Sequence, residues 1–175
     1  MIRKSALVAL SALLALGTAA ASHDGPHVSD AQIAHIAYTA GRIDIDAAKQ
    51  ALAKSRNPKV RAFAETMVRD HAAVNDQALA LVKKLGVTPE ANPTSAALAR
   101  GAAEKMRSLA ALKGAAFDRA YAQNEAAFHG TVNGALEATL IPGASNGELK
   151  SLLRTGLTLF REHQGHAEHL AGQLR

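Results

Sequence analysis

The sequence predicts an all-α protein, a bundle of four long helices with an additional crossover helix. Three observations predict it. Alanine, the strongest helix former, supplies 40 of the 175 residues. Aromatic residues make up only 3% of the chain, and no alternating strand pattern occurs, which leaves an all-β fold without support. From residue 30 onward, apolar residues recur at helical spacing between well-marked caps and prolines.

The elements follow in order from that punctuation. Ser29-Asp30-Ala31-Gln32 is a capping-box pattern and opens a first helix running to about Ser55. Asn57-Pro58 supplies a cap and a first-turn proline for the second helix, which Gly86 closes. Residues 87–93 form a proline-marked loop, and Thr94-Ser95 starts a shorter segment to about Leu112. After Lys113-Gly114 a third long helix runs from about Ala115 to Leu140, where Ile141-Pro142-Gly143 stops it. Ser145-x-x-Glu148 reads as a capping box for the last helix, to about Gln173.

The four long helices come out nearly equal, at about 26 to 29 residues each, with short links that imply two antiparallel hairpins. If the segment 95–112 merely extended the third helix, that helix would far overshoot its partners. As a crossover running back along the bundle, it yields an up-down-down-up order, the ferritin-like connectivity.

The first residues carry a different signal. Arg3 and Lys4 precede an apolar run from Ala6 to Leu16 and small residues ending at Ala19-Ala20-Ala21. This is the pattern of a secretory signal peptide cleaved after about Ala21. The run is too short to span a bilayer, which needs about 20 apolar residues, so no transmembrane anchor is expected after cleavage. The expected organisation is a signal peptide over 1–21, a flexible leader over 22–29 and the bundle over 30–175, with a periplasmic location. Cleavage removes two basic residues and no acidic one, lowering the formal net charge from +5 to +3. With no basic block in the chain, nucleic acid is not an expected partner. The absence of Cys excludes disulfides and thiolate metal sites.

Each apolar stripe carries a titratable residue near its middle. Helix one has Ala37, Ala40, Asp44 and Ala47, and helix two has Ala64, Met67, His71 and Val74. Helix three has Tyr121, Glu125, Phe128 and Val132, and the last has Phe160, His163 and Ala167. At about 1.5 Å per residue, Asp44 and His71 lie about 18 and 20 Å from the first hairpin turn. With the crossover, Glu125 and His163 lie about 15 Å from the same end, so the four levels agree within about one turn. Two carboxylates and two imidazoles in a core are costly unless paired, hydrogen-bonded or bound to a cation. Two carboxylates neutralise a divalent ion, and neutral His is its commonest nitrogen ligand. His129, four residues after Glu125, and His166, three after His163, are further candidate ligands. Asp46 and Asp70 adjoin stripe residues and suit hydrogen bonds that orient the imidazoles.

These residues also carry a family resemblance. Asp44-Ile-Asp46, Met67-Val68-x-Asp70-His71, Phe117-Asp118-Arg119-x-Tyr121, Asn124-Glu125-x-x-x-His129 and Phe160-x-x-His163-x-x-His166-Ala167 are the carrying segments. In them the chain resembles bacterial exported proteins catalogued as domain of unknown function 4142 and regarded as ferritin-like. The resemblance implies a helical bundle and an exported location, and no particular reaction. Di-iron proteins of the ferritin-like fold use two Glu-x-x-His motifs. Neither is present here, since Glu125 and His129 are four apart. A mononuclear or degenerate site is therefore expected.

The function expected is binding of one divalent transition metal, zinc or iron ahead of copper, by Asp44, His71, Glu125, His129, His163 and His166, in metal handling or stress protection. The competing reading is a metal-free structural or interaction protein of the cell envelope, with a buried Asp/Glu/His network at the same positions. No G-x-S-x-G, P-loop or Rossmann glycine pattern supports an enzyme.

Overall fold

A computed structural model describes residues 28–174. The expected signal peptide and most of the expected leader fall on residues 1–27, outside the described residues. Five helices follow: α1 (Asp30–Lys54), α2 (Pro58–Lys84), α3 (Pro93–Ala110), α4 (Gly114–Ala135) and α5 (Gly147–Gln173). No described helix is long and apolar enough to cross a membrane.

Most of the boundaries are set by the residues the sequence marks for them. Ser29 and Gln32 form the reciprocal capping box on α1, and Asn57 caps α2 ahead of Pro58. Gly86 at φ 66° and Gly114 at φ 54° take the left-handed conformation that lets the chain turn after α2 and before α4. Two caps differ from expectation. Asn92, not Thr94, caps α3, pairing reciprocally with Ser95 ahead of Pro93 at the first helical position. Asn146, not Ser145, caps α5, because Asp30 takes the Ser145 and Asn146 N–H groups at 2.8 Å each and turns the Asn146 side chain onto Glu148 and Leu149. Asn146→Ala should therefore lower stability by about 1 kcal/mol in urea denaturation, and Ser145→Ala by much less. Finally, Ile141-Pro142-Gly143 does not stop α4 abruptly. The helix widens into a π stretch, Leu136–Leu140, closed by Ile141 N–H on Leu136 O, and one more turn carries it through Pro142.

The connectivity is up-down-down-up. Call the end holding the α1–α2 turn the upper end. α3 climbs beside α1: Asn92 donates to Gln32 O at the lower end, and Gln50 and Lys54 donate to Met106 O and Ala110 O above. α4 therefore starts at the top, where Arg119 donates to Leu174 O at the end of α5. Lys84 and Glu148 pair at the bottom, 2.6 Å apart.

Two apolar clusters fill the interior. The upper contains Val60, Phe63, Met67, Phe117 and Tyr121 with six buried Ala, whose small side chains let the helices approach closely. The lower contains Ile33, Ile36, Leu136, Leu153 and Phe160. A polar layer separates them.

Candidate metal centre

Five side chains from four helices make this layer: Asp44 on α1, His71 on α2, Glu125 and His129 on α4, and His163 on α5. None is more than 3% exposed. His129 and Glu125 share α4 one turn apart, and Nδ1 of His129 donates to the Glu125 carbonyl at 3.0 Å. That bond fixes the tautomer and leaves the lone pair on Nε2. Nε2 of His129 lies 3.3 Å from Nε2 of His71 and 3.3 Å from Oδ2 of Asp44. Oδ2 of Asp44 lies 3.4 Å from Nε2 of His71.

The three atoms form a nearly equilateral triangle. Neither carboxylate–imidazole edge is aligned as a hydrogen bond, and both Asp44 oxygens lack a hydrogen-bond partner among the described residues. An ion bound tetrahedrally at about 2.0–2.1 Å sets its donor atoms about 3.3–3.4 Å apart. The observed edges match that spacing. His163 stands beside them, its Nε2 bonded to Asp70 at 3.1 Å and its buried Nδ1 without a partner among the described residues. Ligand atoms of His71, His129 and His163 lie within 4.8 Å of one another, as do those of Asp44, Glu125 and His129. The buried group could hold a metal ion.

Burial governs the charges. It pushes the Asp44 carboxyl up to about 7. Burial, then the adjacent Asp44 charge, holds Glu125 well above the usual carboxyl range. The imidazoles move the other way: burial lowers His71 to about 2 and His129 to about 4. His163 is also lowered by burial, against the upward pull of Asp70. Near neutral pH the three imidazoles are therefore uncharged, each keeping one lone pair that can bind a cation. Without a cation, that of His129 Nε2 accepts from His71 Nε2 at 3.3 Å.

Sequence expectation and structure part at several positions. His166 is exposed and belongs to neither group of ligand atoms, because three residues of helix rotate it off the direction of His163. Asp46 is exposed as well, whereas Asp70, between Arg69 at 2.8 Å and His163, holds an imidazole as expected. On α4 the inward stripe runs through Glu125, His129 and Asn133, leaving Phe128 and Val132 half-buried. On α2 Asn75, rather than Val74, is buried. Phe160, expected only as packing, stacks flat on His71 with ring centroids 4.6 Å apart. Its place three residues before His163 was the available signal.

No curated protein and no solved structure matches the chain. The family model described as domain of unknown function (DUF4142) matches residues 15–170, a span that holds all five buried polar residues of the layer. The chain belongs to that family.

Proposed function

We propose that this protein is an exported, ferritin-like bundle that binds one transition-metal ion in its core, in metal handling or stress protection. The observation that carries the reading is the triangle of Asp44 Oδ2, His71 Nε2 and His129 Nε2, with edges of 3.3–3.4 Å. His163 Nδ1 or Glu125 supplies the next ligand. Mixed oxygen and nitrogen donors at tetrahedral spacing favour zinc, with iron next and copper behind. The Arg3-Lys4 pattern and the apolar run after it support export, and the up-down-down-up order supports the ferritin-like description.

A metal-free polar network is the weaker reading. Such networks specify a core when every member is satisfied, yet Asp44, Glu125, His71 and His163 all keep buried atoms without partners among the described residues.

The test is elemental analysis of the protein purified without a His-tag, followed by calorimetric titration of the metal-stripped protein with zinc and with ferrous iron. One ion per chain at micromolar affinity or tighter is expected. Zinc at about 100 times Kd should add about 2.7 kcal/mol and raise the melting temperature by several degrees. If neither ion binds stoichiometrically, the proposal fails. Asp70→Asn weakens the carboxylate that orients His163, so it should reduce zinc affinity about 10- to 100-fold without abolishing it.

A further inference from the structure

Directly below the polar layer the helices leave a chamber of about 220 Å³. Its wall includes Ala40, Asn75, Val132 and Phe160, each three or four residues from Asp44, His71, His129 and His163 respectively. The chamber is thus the next layer of the same bundle. Its mouth lies between α3 and α4, where Thr94 and Thr131 are exposed and Leu98 is half-buried.

Well-packed interiors hold few voids larger than a water molecule, and an apolar cavity of about 150 Å³ already admits benzene. No charged side chain lines this chamber. Its deeply buried polar wall residue is Asn75, 5% exposed. The carbonyl end of that side chain lies against Gly41, where even a methyl group would collide with it. The amide nitrogen has no hydrogen-bond partner among the described residues. That nitrogen is buried behind the wall rather than open to the chamber, so the surface offered to a ligand is apolar, the composition of a site for an apolar small molecule.

We propose that this chamber binds a compact, neutral, apolar molecule of about nine or ten heavy atoms. A charged ligand is disfavoured because nothing in the wall compensates its desolvation. The Phe160 ring, stacked on His71, separates the chamber from the imidazoles, so this site does not rest on metal binding.

α-Methylstyrene is the probe, with benzoate as a charged analogue of the same heavy-atom count. Each is titrated into the full chain while methyl NMR signals of Ala40, Ala78 and Val132 are followed. α-Methylstyrene should shift them saturably, and benzoate should cause no saturable shift, because nothing in the wall compensates its desolvation. Ala78→Phe fills the chamber and should abolish the shifts while zinc titration is unchanged. Should that variant not fold, Ala40→Leu serves the same purpose. Absence of saturable shifts in folded protein, unchanged shifts in the filled variant, or equal binding of the two probes would overturn the proposal.

Discussion

His129→Ala should lower zinc affinity by about two to three orders of magnitude. Zinc bound by four protein ligands gains roughly 10–16 kcal/mol, so each ligand carries about 3–4 kcal/mol, and every 1.4 kcal/mol is a decade. His129 is the most exacting position because it belongs to both groups of converging ligand atoms. Its Nδ1 is committed to the Glu125 carbonyl, which points Nε2 at Asp44 and His71. His166→Ala is the control, since that side chain is exposed and its loss should leave the affinity unchanged. Competition with a zinc-chelating dye reads both. Equal losses in the two variants would remove His129 from the centre.

Asp44→Asn should split stability from binding, raising the first and lowering the second. The carboxyl is 1% exposed, and in metal-free protein its charge has no hydrogen-bond partner among the described residues. Burial lifts it from 3.8 to about 7, so the folded state disfavours the ionised form. The stability Asp44 contributes is therefore complete below its unfolded value and is lost as pH rises through about 7. At a pH of about 8 the neutral isostere should be more stable by about 2–4 kcal/mol, while zinc binding weakens.

His71 has the opposite sign. Lowered from 6.5 to about 2, its contribution is complete above the unfolded value and is lost as pH falls. In chelator, wild type should show these slopes opposing one another between the unfolded values of 3.8 and 6.5. Asp44→Asn should remove the falling slope of Asp44 and leave that of Glu125, so its stability-versus-pH slope should be more positive than wild type's across that window. Urea denaturation with chelator at several pH values reads the difference. A variant less stable than wild type near pH 8 would mean that Asp44 is already compensated without metal. Opposite effects on stability and affinity mark a residue kept for binding, since active and binding sites commonly carry strain that the rest of the fold supports.

Much of this architecture was legible in the chain. The Ser29 and Asn57 caps work through hydrogen bonds to residues two or three positions away, so the local sequence carries them in full. Helix lengths and the crossover argument led to the up-down-down-up order. Level-matching along the helices brought Asp44, His71, Glu125 and His163 to one height, and they share one layer. The Asn146 cap was not legible, because what displaces Ser145 from that role is Asp30, more than a hundred residues away.

The sequence by itself determined the helices, their order and the height of the polar layer, because backbone hydrogen bonding, caps and rise per residue are local or additive quantities. Tertiary structure alone decided which side chains turn inward. An inward stripe on a helix is about 100° wide, so Phe128 and His129, or His163 and His166, compete for one direction until neighbouring helices fix the rotation. That rotation turned His129 and Asn133 inward on α4 and left His166 in solvent. It also set three donor atoms from three helices 3.3–3.4 Å apart, a spacing that no property of a single helix encodes.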